Sequence, residues 1–169
     1  MKSYKKFATA IIILGAACSA PFLTGRIIVN TTPSVPIGLW LLDDGEIKRG
    51  DVVQVSLNSF EFTDWVPEIY KKHNGWGEIL FLKRVAGLPG DEIKKSGDIL
   101  ILNSSEIIPD SGVLSRDGLG NELKVYELPV KLKSDEAWLM SDIERGFDSR
   151  YLGPAKLNDC KKVVPLIVK

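Results

Sequence analysis

Three residues of this chain stand out as able to carry a hydrolytic reaction: Ser34, held between prolines, Lys83, inside an apolar run, and the single histidine, His73. His73 follows Lys71-Lys72 and precedes Asn74-Gly75, a polar, turn-like setting that suits a solvated loop histidine better than a base beside a nucleophile. A Ser-His-Asp triad is therefore poorly supported, and a serine enzyme built on this chain needs another base. Neutral lysine is the side chain that substitutes.

Lys83 lies in the run Ile79-Leu80-Phe81-Leu82-Lys83-Arg84-Val85. Read as a strand, the period of two puts Lys83 on one face with Ile79, Phe81 and Val85, while Arg84 points the other way. If that face is buried, the amine loses its water and desolvation lowers its pKa. A usable neutral fraction costs the fold on the order of 3 to 4 kcal/mol. The same pattern is equally compatible with an ammonium that snorkels past the sheet edge.

Ser34 lies in Thr31-Thr32-Pro33-Ser34-Val35-Pro36-Ile37-Gly38. The two prolines remove ladder donors and hold their predecessors in extended or turn geometry, so the segment is stiff and outside any sheet. It fixes a hydroxyl in place. The Ser34 N–H and the Thr32 hydroxyl together could form an oxyanion hole. Gly38 would permit close approach of another backbone. A rigid linker has the same composition.

The elements that must position these groups read as strands. Beyond Arg26 the chain consists of short apolar, β-branched stretches broken by turn residues, without a long 3.6-residue period, which favours a mainly β body. Expected strands are 38–42, 51–57, 78–85, 92–95, 99–102, 123–128, 137–140 and 162–168. Turns are expected at Asp44-Gly45, Arg49-Gly50, Pro89-Gly90 and Ser96-Gly97-Asp98. Residues 59–77, with Trp65, Pro67, Tyr70 and Trp76 among basic residues, form a candidate lid or insertion loop. An ordinary surface insertion fits them as well. Residues 103–122 are polar and read as a hairpin excursion.

Residues 1–25 are of another kind. Lys2, Lys5 and Lys6 precede an uncharged run from Phe7 to Gly25. As a helix it would be about 28 Å long, close to a hydrocarbon core of about 30 Å. The lysines before it set the N-terminus in the cytoplasm and residues 26–169, the candidate catalytic domain, outside, in the periplasm if the membrane is a bacterial inner membrane or else extracellular. A cleaved signal peptide is the competing reading, disfavoured by Pro21 just after Ala17-Cys18-Ser19-Ala20. Equal numbers of acidic and basic residues, 22 of each, leave no basic field to recruit nucleic acid. Cys18 in the membrane and Cys160 outside it make an unsuitable disulfide pair, and one histidine without a CxxC argues against a zinc site. No cofactor is expected.

Three runs then carry a resemblance. Ser-Val-Pro-Ile-Gly at 34–38, Lys-Arg-Val-Ala-Gly-Leu-Pro-Gly-Asp at 83–91 and Phe-Asp-Ser-Arg-Tyr-Leu-Gly-Pro at 147–154 resemble, in order, the nucleophile, lysine and C-terminal boxes of signal peptidase I. Thr-Pro-Ser before the first box and Phe-Asp-Ser-Arg-Tyr in the last are most similar to the conjugative-transfer (TraF-type) branch. The resemblance covers essentially the whole chain, and the lysine box is its most specific part.

It implies a membrane-anchored serine endopeptidase with a Ser34/Lys83 dyad, supported by Thr32 as accessory oxyanion hydroxyl and by Asp148 and Arg150 as a bracing pair. In an extended segment those last two share a face. Substrates would be membrane-tethered precursors, a pilin or a secretory protein, cut after small residues and in some of this branch cyclised. Conjugation and type IV secretion components are the implied partners. At Gly146 the chain departs from the pattern, because many signal peptidases carry there a serine that orients the lysine. Ser34 lies nine residues past Gly25, at most about 30 Å of extended chain, so its site must be close to the lipid. A general signal peptidase would share these residues. A LexA-type repressor shares the chemistry but carries a DNA-binding domain in place of the apolar run, and a non-catalytic assembly factor needs neither side chain.

Overall fold

In the computed structural model, which describes residues 25–66 and 79–169, the short apolar stretches form antiparallel strands. The candidate anchor lies outside the described residues, as do Pro67, Tyr70, Lys71, Lys72, His73 and Trp76 of the candidate lid. Among the described residues no helix is long and apolar enough to cross a membrane.

The described residues form a larger and a smaller sheet. In chain order the larger takes β1 (Ile27–Asn30), β2 (Gly38–Leu42), β3 (Val52–Ser56), β4 (Leu80–Gly87), β9 (Glu136–Met140), β10 (Ala155–Lys156) and β11 (Lys161–Val168). Across the sheet their order is β1-β2-β11-β3-β4-β9-β10. The smaller sheet takes β5 (Glu92–Ser96), β6 (Ile99–Leu102), β7 (Glu106–Ile107) and β8 (Val130–Lys131), in the order β7-β6-β5-β8. The β-branched residues Val53 and Val55 of β3 pack with Val85 of β4 and Leu139 of β9 in one core cluster. Trp138 and Met140 look the other way, into a second cluster with Ile93, Leu100 and Leu102. Thus β9, buried along its length, joins the two sheets.

Most expected strands form within two residues of their expected ends. The stretch 123–128 is an exception. The Tyr126 N–H is taken by the Arg150 carbonyl at 2.8 Å, and its ring packs edge-on against Trp138 and Phe62, so side-chain packing replaces a ladder there. Strand β1, not foreseen, is the edge of the larger sheet, and residues 31–37 connect it to β2. Gly38, at φ 145°, is required by β11: a Cβ there would lie 2.1 Å from the Ile167 carbonyl oxygen.

Two features of the larger sheet bear on the site. Strand β4 pairs with β3 from Leu80 to Arg84, but with β9 only from Arg84 onward, which leaves Leu80–Leu82 without a strand on that side among the described residues. Away from Lys162, one face of β1, β2 and β11 is apolar. Val29, Leu39 and Ile167 form one cross-strand row, and Ile27, Leu41 and Val164 the next. Val29 and Ile167 are 64% and 67% exposed.

Candidate active site

Ser34 is fixed by its neighbours. Asn30, at the end of β1, turns its amide into the loop and donates to the carbonyls of Thr32, Val35 and Pro36 at 2.8–3.1 Å, while its oxygen accepts from the Thr32 N–H and hydroxyl. Val35 plugs a core cluster with Trp40, Val52, Leu82 and Val163. The Ser34 carbonyl accepts from the Asp142 N–H at 2.7 Å, tying the loop to the residues just past β9. These contacts hold the backbone of the loop. Ser34 Oγ donates to the Leu82 carbonyl at 3.3 Å and lies 3.0 Å from Thr32 Oγ1.

Lys83 is the next residue along β4, and only 3% of it is exposed. Its Nζ donates to Ser141 Oγ at 2.8 Å and lies 5.3 Å from the centre of the Phe81 ring, so the two share a face. Burial is the largest influence on the amine and lowers its pKa from 10.5 to about 8, with Arg150 adding to the fall and Asp148 and Asp142 opposing it. Arg84 points the opposite way and forks onto Asp142, with Nε 2.7 Å from Oδ1.

Asp148 and Arg150 stand behind this lysine, buried and paired at 2.7 Å. Their segment is a helical turn, not the extended stretch in which the two would share a face. Asp148 caps the single turn α1 (Ser149–Leu152), its Oδ1 accepting from the Arg150 N–H, and Gly153 ends the turn at φ 73°. Asp148 Oδ2 also accepts the Ser141 N–H at 2.9 Å, and the Arg150 guanidinium donates to the Glu144 and Gly146 carbonyls. Arg150 thus holds Asp148, Asp148 holds the Ser141 backbone, and the Ser141 hydroxyl receives Lys83.

All five candidate residues therefore gather around the β4–β9 junction, but the hydrogen bond of Lys83 goes to Ser141 rather than to Ser34. Ser141 escaped the sequence reading because a serine after Leu139-Met140 is unremarkable in type. The signal lay in the ladder: one step beyond the Arg84–Met140 pair, the register sets Lys83 against Ser141. Asn30 was missed too, although an Asn directly before Thr-Thr-Pro suits an Asx turn. Above Thr32, a cleft of about 480 Å³ runs between residues Ile28–Thr32 and Ile79–Leu82, alongside the unpaired edge of β4. Among the described residues, no group of His, Cys, Asp and Glu could hold a metal.

The family model for signal peptidases, peptidase S26, matches residues 1–167, and the chain belongs to that family. Its relatives include a plasmid transfer protein TraF of Escherichia coli, 27% identical over 97% of this chain and 96% of its own length. Conjugal transfer proteins TraF of Agrobacterium tumefaciens (strain 15955) and Agrobacterium fabrum are 29% and 30% identical, over 88% and 78% of this chain and 85% and 76% of theirs. Among solved structures, a signal peptidase I of Enterococcus faecalis aligns at a TM-score of 0.45 and 16% identity, covering 73% of this chain and all of that one.

Proposed function

We propose that this chain is a membrane-anchored serine endopeptidase of conjugative transfer that cuts a pilin or other membrane-tethered precursor, with Ser34 as nucleophile and Lys83 as general base. One observation carries the reading. A lysine amine, buried and with its pKa lowered to about 8, follows directly the residue whose carbonyl holds the Ser34 hydroxyl. Membership of the peptidase S26 family supports the peptidase activity, and the TraF relatives support the setting in conjugation.

The substrate enters the cleft as an extended chain and pairs with the open edge of β4, supplying the ladder that β9 leaves unmade. Pairing there competes for the Leu82 carbonyl and frees the Ser34 hydroxyl to turn toward Lys83. Neutral Nζ takes the hydroxyl proton as Oγ attacks the scissile carbonyl carbon, and the oxyanion is met by the Ser34 N–H and the Thr32 hydroxyl. The lysine then returns the proton to the leaving amine, which departs as the new N-terminus and leaves an acyl-enzyme. Water, deprotonated in turn by Lys83, attacks the acyl carbonyl, and Ser34 Oγ leaves with that proton as the acid is released; attack by the amine of the acylated segment itself displaces Oγ in the same way and gives a cyclic product instead.

The uncharged run from Phe7 to Gly25 anchors the chain, and the apolar outer face of β1, β2 and β11, which begins two residues later, rests on the lipid. Mass spectrometry of a candidate pilin precursor incubated with the full chain in detergent tests the reading. Wild type yields a cut product, linear or cyclic, and Ser34→Ala and Lys83→Ala each slow its appearance by about a thousandfold or more. Cleavage by Lys83→Ala at the wild-type rate removes the mechanism.

A further inference from the structure

We infer that Ser141 is the positioning residue of the lysine, and that positions 141 and 146 are alternative sources of a single hydroxyl, of which the fold can seat only one. The inference rests on Lys83 acting as the base. Its first ground is the hydrogen bond between Lys83 Nζ and Ser141 Oγ at 2.8 Å, buried on both sides. An amine in an apolar pocket turns freely about its stem, and its lone pair points at Ser34 only part of the time. An acceptor that takes one N–H removes that freedom.

The second ground is steric. A Cβ built at Gly146 would lie 2.1 Å from both Cβ and Oγ of Ser141, so the side chain of Ser141 occupies the space a serine at 146 would fill. Gly146 has no positive φ, so its backbone does not exclude a side chain once that space is empty. The third atom near the built Cβ is Asp148 Oδ2 at 3.0 Å, the same oxygen that receives the Ser141 N–H. One carboxylate therefore borders both positions. The loop between them returns on itself through the bond from the Gly146 N–H to the Ile143 carbonyl, at 3.0 Å, which brings the two residues together.

Ser141 also links the two halves of the reaction. Its hydroxyl holds Lys83, and the N–H of the next residue, Asp142, holds the Ser34 carbonyl. A shift of this short segment moves base and nucleophile together.

The test compares five full-length variants in detergent on a synthetic precursor peptide carrying alanine before the cut: Ser141→Ala, Ser141→Gly, Gly146→Ser, the double variant Ser141→Gly/Gly146→Ser, and Lys83→Ala. Ser141→Ala and Ser141→Gly are expected to lose about a hundredfold in kcat with KM unchanged, because they leave the cleft intact. Gly146→Ser alone is expected to be destabilised by the overlap. The double variant is expected to melt near the wild type and to regain at least tenfold over Ser141→Gly, a non-additivity that a merely structural serine would not give. Two results overturn the inference while leaving the reading of Lys83 in place: wild-type kcat in Ser141→Ala beside an inactive Lys83→Ala, or a folded double variant no faster than Ser141→Gly. Wild-type rates in both Ser141→Ala and Lys83→Ala instead overturn the dyad itself.

Discussion

At the scale of the residue, the site depends on one amine kept out of water. A lysine whose pKa falls from 10.5 to about 8 on folding is a liability at neutral pH, because the folded chain holds a buried charge that the unfolded chain solvates. The cost is on the order of 3 kcal/mol and is carried in full below about pH 8. Between pH 8 and 10.5 the unfolded chain binds more protons at this residue than the folded one, so stability rises with pH across that window. Lys83→Met is therefore expected to be more stable than wild type at pH 7, by about 1–3 kcal/mol, with the gap closing toward pH 10.5. Denaturant midpoints at the two pH values measure this. A gap independent of pH would place the amine in solvent.

The elements then decide what meets what. The stiff segment around Ser34 and the shared face of Phe81 and Lys83 were legible because proline restriction and strand alternation are local rules. Ser141 and the helical turn after Asp148 were not, because the first depends on which strands become neighbours and the second on a capping choice that extended geometry rivals. The β4–β9 register is what turns an unremarkable serine into the partner of Lys83, and no local pattern announces a register between strands separated by the whole smaller sheet. The absence of a ladder at 123–128 has the same origin, since the Tyr126 N–H finds Arg150 only once the chain is folded. At this scale the pair Asp148–Arg150 is the brace. Asp148→Ala leaves a buried guanidinium without its carboxylate and is expected to cost about 3–5 kcal/mol in a denaturant titration. A loss under 1 kcal/mol would mean the backbone carbonyls around Arg150 suffice.

At the scale of the molecule, the candidate anchor ends two residues before β1, a strand that belongs to the apolar sheet face and also lines the cleft. Val29 and Ile167 are 64% and 67% exposed, a poor arrangement for a surface facing only water. Resting on lipid, that face would set the cleft at the height where a tethered precursor leaves the bilayer. Ile167→Asp is expected to process a membrane-tethered precursor in vesicles several-fold more slowly, while cutting a soluble peptide at the wild-type rate. Equal slowing of both substrates would show damage to the fold rather than to the seating on lipid.

The claim that a neutral lysine activates Ser34 is tested most directly by the pH dependence of kcat/KM for precursor cleavage by the full-length chain. With the amine at about 8, the rate rises nearly tenfold per pH unit below that value and levels off above it. A profile flat from pH 6 to 9, or one still climbing tenfold per unit past pH 10, would contradict it.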